Sequence, residues 1–251
     1  MEPDPPIPAA TLVVMRPTSA GPPDLLIVER AAAMAFAGGA IVFPGGRIDP
    51  ADRALAAGFG DPDAAAKVTA IRETIEESAV LAGLTASDTI DPALGPLLQD
   101  ALVGGADFAA LLEEHGLSLD LAALTAFARW MPAFKQARRF DTLFFIAPAL
   151  AGDWPPRPQP GECQSARWAG AAALLESVAA GDDHAIFPTK RNLERLARFA
   201  TVDEARADAA AHSLDTIVPW VEQRGGEPHV CIPHDRGYPV TSEPLATAFR
   251  A

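Results

Sequence analysis

Residues 43–79 read "FPGGRIDPADRALAAGFGDPDAAAKVTAIRETIEESA", and the order of features within them decides the fold. Gly45 and Gly46 follow Pro44, and paired glycines let a backbone bend sharply and approach a ligand closely. Asp52 comes next, then Gly58 and Gly60, then Asp61 and Pro62 as a helix N-cap and first helical residue. Beyond them Ala64, Val68, Ile71, Ile75 and Ala79 recur at helical spacing, which predicts one helix continuing to Ala82 with Gly83 just past its end. Glu73, Glu76 and Glu77 stand at i, i+3 and i+4 on that helix and share a face away from the apolar stripe. Like charges so placed cost roughly a few tenths of a kcal/mol per pair, whereas a hard divalent cation with oxygen ligands turns their repulsion into binding. Taken alone, the cluster reads as a solvated acidic face. The upstream glycines, able to offer a backbone carbonyl as a further oxygen ligand, tilt the reading toward Mg2+ or Mn2+.

Outward from this stretch, "TLVVMR" and "DLLIVER" read as two strands around turn residues 19–23, a hairpin, and "AIVFPGG" as a third strand ending at Pro44. Residues 84–129 are Leu- and Ala-rich, broken by Gly104, Gly105 and Gly116, and read as an inserted helical subdomain. Strand character returns in "RRFDTLFFIA" and "CQSARWA", on either side of the proline-rich "GDWPPRPQPGE". "AAALLESVAAG" and "TKRNLERLARFATVDEARADAAAH" are helical, and "HVCIP" is a late strand. Strands interspersed with helices predict an α/β class. Residues 1–8 are expected to form a flexible N-terminus, and residues 9–251 a single domain with the helical insertion at about 84–129.

Composition narrows the function. The 33 acidic against 20 basic residues leave a net charge of −13, the wrong sign for gripping a nucleic-acid backbone through counterion release. Two cysteines, Cys163 and Cys231, are too few for a disulfide framework and point to a reducing compartment. The start "MEPDPPIPAA" lacks the basic end and apolar run of a secretory signal, and "LFFIAPAL" is too short to span a bilayer. A cytoplasmic protein that touches neither membrane nor nucleic acid is expected. His229, Cys231 and His234 lie close in sequence but have no second ligand pair at zinc spacing.

The run Gly46, five residues, Asp52, and later "RETIEESAV" resembles the box of the Nudix hydrolase family, in which Gly, five residues, Glu and seven residues precede Arg-Glu-apolar-X-Glu-Glu-X-Gly-apolar. This chain has Asp52 where Glu is usual, 19 residues between Asp52 and Arg72, Thr74 at an apolar position and Ala79 at the final Gly. The long insertion inside the box, with "LLIVERAAAMAFAGGAIVFPGGRIDPAD", "RWMP" and "RRFDTLFFIA", is similar to the branch that includes the peroxisomal coenzyme A diphosphatase. Arg30, Ala31, Gly39 and "FPGG" also fit a coenzyme A signature, with Ala35 where its second Arg belongs. The resemblance implies a Nudix-type α/β/α sandwich with a mixed sheet, and a metal-dependent enzyme that splits the pyrophosphate of coenzyme A or acyl-CoA into a 4'-phosphopantetheine derivative and 3',5'-ADP. It implies that the Gly45 carbonyl, Glu73 and Glu77 ligate Mg2+ or Mn2+, with Glu76 beside them as a further ligand or as a partner of the ligands, and that a loop acid, Glu162, joins the site. Arg72 would orient the carboxylates, Asp52 would pair with Arg72, and Glu162 would serve as ligand or base, Asp141 being a lesser choice. Arg30, Gly45, Gly46, Arg138 and Arg139 would contact substrate. ADP-ribose, dinucleotides and nucleoside triphosphates are the other substrates to test, and a non-catalytic nucleotide sensor the other class. The oligomeric state stays open, a homodimer included.

Overall fold

The structure is a computed structural model and describes residues 5–34, 37–132 and 139–248. The first hairpin joins β1 (Ile7–Arg16) to β2 (Asp24–Arg30), and β3 (Ala40–Val42) and β4 (Gly45–Arg47) follow. Then come α1 (Pro50–Ala56), α2 (Ala64–Ser78), β5 (Leu84–Thr85), α3 (Leu94–Val103), α4 (Phe108–Glu114) and β6 (Ser118–Leu119). The chain returns to the sheet through β7 (Thr125–Trp130), β8 (Phe140–Pro148) and β9 (Cys163–Gly170), and continues into α5 (Ala171–Ala180), β10 (His184–Ala185), α6 (Phe187–Leu196) and α7 (Val202–Ala210). It closes with β11 (Trp220–Arg224), β12 (Glu227–Cys231), β13 (Ser242–Pro244) and α8 (Leu245–Ala248).

The main sheet is mixed and runs β10-β3-β2-β1-β8-β7, with β4 also paired to β1 and β9 to β2. β1 and β8 are parallel, while β1 pairs antiparallel with β2 and β4. Successive side chains of a strand face opposite ways, so β1 feeds two cores. Ala10, Leu12 and Val14 pack with Val68, Ile71 and Ile75 of α2 and with α3 and α4, while Val13 and Met15 join Leu174, Leu193 and Leu196 of α5 and α6. Helices on both faces make the α/β/α sandwich. Val68, Ile71 and Ile75 are fully buried, and each contributes about 1.5–3 kcal/mol of transfer free energy. Ile71→Ala is expected to cost about 2–5 kcal/mol, read as a lower urea midpoint with an unchanged slope.

The structure departs from the sequence reading in several places: α2 starts at Ala64 with Asp63 as its N-cap, past Asp61 and Pro62, and the stretch 189–212 is divided between α6 and α7. Ile7 and Pro8, expected in the frayed end, pair with Phe140 and Asp141 in β1, because their backbone groups find partners on β8. The helical insertion is shorter than expected, since Thr125–Trp130 is strand β7 beside β8. Part of the extra length inside the box is a helix, α1, where Asp49 precedes Pro50 at the helix start. Last, α2 ends at Ser78 and does not reach Ala82, because Ala79 takes a left-handed φ of 58°. That conformation costs an alanine roughly 1–2 kcal/mol and closes the helix as a glycine commonly does.

Candidate active site

Local structure places the glycines first. β4 pairs with β1 so that Gly45 lies opposite Thr11 and Gly46 opposite Ala10. A Cβ on Gly45 would meet the Ala10 carbonyl and stand 2.7 Å from Thr11 Cα. A Cβ on Gly46 would instead fall among the carboxylate atoms of Glu73, 2.7 Å from Oε2. Only glycine therefore lets this strand lie against β1 on one side and against the α2 carboxylates on the other.

α2 is buried nearly all round, unlike the one-stripe helix its spacing suggests. Thr69, Thr74, Glu77 and Ser78 are buried along with its apolar residues. The Thr74 hydroxyl donates to Ala70 O at 2.7 Å and Ser78 Oγ to Thr74 O, so polar side chains are satisfied within the helix and need no water. One flank of the helix packs on α1. Asp52 is buried and accepts from Arg72 Nε at 2.8 Å, Arg72 Nη2 at 2.9 Å, Thr69 Oγ1 at 2.7 Å and the Asp49 amide at 3.0 Å. Burial pushes the Asp52 carboxyl up, but the Arg72 hydrogen bonds and charge hold it below the ordinary range. Its acceptor positions are filled by protein donors, which makes Asp52 a brace for Arg72.

Arg72 turns its other edge to the catalytic candidates. Nη1 lies 2.8 Å from Glu76 Oε1 and 3.0 Å from Glu73 Oε1. Glu77 has other partners: its Oε2 accepts the Gly45 amide at 3.0 Å and its Oε1 is 3.5 Å from Arg30 Nη1. Burial, the Glu76 charge and residual repulsion from Asp52 outweigh Arg72 and lift the Glu73 carboxyl to about 7. Burial and then the Glu73 charge lift Glu77 to about 8, against the pull of Arg30 and the Gly45 amide, with Glu162 adding to the rise. One buried and one half-buried carboxylate thus share too little positive charge, a deficit that a divalent cation fits.

A carboxyl whose pKa is higher in the folded chain than the 4.5 of the free group holds its proton more tightly when folded. Its contribution to stability is complete below about pH 4.5 and is lost as pH rises through about 7 for Glu73 and 8 for Glu77. Metal-free protein is therefore expected to melt progressively lower between about pH 5 and pH 8, and excess Mg2+ is expected to flatten that slope. Thermal melts with chelator or Mg2+ across this range check it.

Glu162 sits at the exposed end of the proline-rich loop, immediately before β9, close enough for its charge to act on Glu77. Its backbone carbonyl accepts the Ala31 amide at 2.7 Å, which joins the loop to the residue after Arg30. Cys163 is a buried free thiol whose pKa is pushed up to about 12 by burial and then the Glu77 charge. Asp141, by contrast, is engaged with Arg129, at 2.8 and 2.6 Å. Arg139 enters β8, one strand away from β4 across β1. Ala35 and Arg138 lie outside the described residues. Among the described residues, no group of three or more His, Cys, Asp or Glu side chains is arranged to hold a metal ion; Glu73 and Glu76 are engaged by Arg72, and Glu77 by Arg30 and the Gly45 amide. The spacing of acids found Glu73, Glu76 and Glu77. It missed Thr69 and Gln99, whose contacts come from α1 and the insertion.

A mixed sheet between helical layers, with two acids of one helix set against a glycine strand, defines an α/β enzyme with an oxygen-rich site. The chain belongs to the Nudix hydrolase family. A Nudix hydrolase from Alicyclobacillus acidocaldarius of known structure is 31% identical, with a TM-score of 0.69 over 81% of this chain and 96% of that one. The human acyl-coenzyme A diphosphatase NUDT19 is 25% identical over 268 aligned residues, covering 82% of this chain and 71% of the relative. No family model matches the chain. Among the described residues, no helix is long and apolar enough to cross a membrane.

Proposed function

We propose that this hydrolase is a metal-dependent diphosphatase that cleaves coenzyme A or acyl-CoA at its pyrophosphate, leaving a 4'-phosphopantetheine derivative and 3',5'-ADP. One observation carries the reading: Glu77, buried, and Glu73, half-buried, are held short of positive charge against the Gly45–Gly46 strand. The similarity to an acyl-coenzyme A diphosphatase along most of the chain favours this substrate among diphosphates.

Glu73, Glu76, Glu77, Glu162 and the Gly45 carbonyl would hold Mg2+ or Mn2+. When bound, the cation supplies charge neutralisation for the diphosphate and a lowered pKa for the attacking water. Arg72, fixed by Asp52, aims Glu73 and Glu76, and Glu162 would act either as a ligand or as the base that takes the attacking water's proton at its carboxylate. Arg30 stands beside Glu77, where a phosphate oxygen would suit its planar guanidinium. Arg138 and Arg139 add positive charge for the substrate, and the glycine strand gives it room. Two buried free thiols accord with a reducing, cytoplasmic setting.

The test is product analysis after incubating the enzyme and Mg2+ or Mn2+ with coenzyme A, an acyl-CoA, ADP-ribose, a dinucleotide and a nucleoside triphosphate. Release of 3',5'-ADP from coenzyme A is the expected result. Turnover of ADP-ribose or a dinucleotide without 3',5'-ADP would move the substrate to that class, and no turnover of any would leave a nucleotide sensor.

A further inference from the structure

The C-terminal end of α2 carries Glu76 and Glu77, and a helix end leaves its last carbonyls without partners inside the helix. Here donors from outside supply them. Gln99 of α3 donates from Nε2 to the Glu76 carbonyl at 2.9 Å, the Gln159 amide donates to the Glu77 carbonyl at 3.2 Å, and the Arg157 amide to the Ser78 carbonyl at 2.8 Å. Gln99 is wholly buried, and the same Nε2 also donates to the Arg157 carbonyl at 2.8 Å. Its Oε1 accepts from Arg157 Nε, and the Arg157 guanidinium pairs with Asp100, the next residue of α3. One buried amide therefore clasps the inserted helix, the α2 terminus and the proline-rich loop together. From that clasp the chain of bonds runs on, since the Gln159 carbonyl accepts the amides of Glu162 at 3.3 Å and Cys163 at 3.0 Å.

We propose that Gln99 is a positioning residue, whose amide fixes the loop bearing Glu162 in register with Glu77. This rests on the role given above to Glu162. The inserted segment would then be part of the catalytic apparatus, setting where the loop carboxylate stands relative to the helix carboxylates. Nε2 serves two backbone carbonyls from different segments and Oε1 takes the Arg157 side chain, so an apolar side chain of similar volume would leave both carbonyls without this donor and the loop without its tie to α2.

The experiment is a double-mutant cycle on kcat with coenzyme A, or with whichever substrate the panel identifies, run well below each variant's melting temperature. Gln99→Leu keeps the volume and removes the bonds. It is expected to lower kcat roughly 10- to 100-fold, with KM little changed, and to have no further effect when Glu162 is already Gln. A role confined to stability predicts wild-type kcat in Gln99→Leu, and an effect independent of Glu162 predicts losses that multiply in the double variant; either outcome overturns the proposal. Should Gln99→Leu fail to fold, Arg157→Met removes the bond to Oε1 from a more exposed side chain. It is expected to show the same non-additivity with a smaller fall, and wild-type kcat there overturns the proposal. The Glu162→Gln enzyme alone tests the underlying reading: undiminished kcat rejects Glu162 as a catalytic group and the clasp's purpose with it, whereas a loss there with multiplying effects rejects only Gln99.

Discussion

Glu77→Gln is expected to lower kcat on the order of 10³-fold while making the metal-free protein more stable. The first effect follows from withdrawing one negative oxygen ligand, worth several kcal/mol of barrier at about 1.4 kcal/mol per tenfold in rate. The second follows from the burial of that carboxyl and its repulsion by Glu73, which already favour the protonated form up to about pH 8. A neutral amide keeps an acceptor for the Gly45 amide and removes the buried charge. Near pH 8 the gain should be about 1–2 kcal/mol, which for a chain of this size raises Tm by roughly 2–8 °C. Steady-state kinetics and melts with chelator check both halves. A variant that loses activity and stability together would mean that Glu77 holds the fold and does not store strain for a ligand.

The adjacent glycines should respond in opposite ways to the same added methyl. Gly46→Ala drives a Cβ into the Glu73 carboxylate, the far end of a side chain that can rotate aside. It is expected to fold with a Tm within a few degrees of the parent, yet to lose roughly 10²- to 10³-fold in kcat as Glu73 leaves its place. Gly45→Ala meets the backbone of Ala10 and Thr11, which cannot move without parting β4 from β1. Its expected cost is roughly 2–4 kcal/mol of stability. Comparing melting temperatures and kcat for the two variants separates a site glycine from a packing glycine.

Much of this was legible in residues 43–79. Helical spacing located α2 and its acids, and the order of glycines, acid and Arg-Glu motif led to the family and its layered fold. The hairpin and most later elements followed from alternation and turn residues. What spacing could not show was where α2 stops, because Ala79 has no sequence mark of a left-handed residue; only its place at the family's final Gly hints at it. Nor could spacing show that the same helix is buried on several sides, since α1 and α3 reach it from inside the box and from the insertion. Helix α1 had a readable signal in Asp49-Pro50, which the nearby glycines obscured. Gln99 carried no signal, for a buried glutamine resembles any other until its partners, 23 and 58 residues away, are known.

The central claim is that Glu73 and Glu77 form, with the glycine strand, the seat of a divalent cation. Calorimetric titration of Mn2+ near pH 7.5, in two buffers of different ionisation enthalpy, measures binding and proton release together. The account expects saturable binding with net release of protons from these carboxyls, and loss of both when Glu73 and Glu77 are changed to Gln. Binding of equal strength in that double variant, or binding to the parent with no proton release, would contradict it.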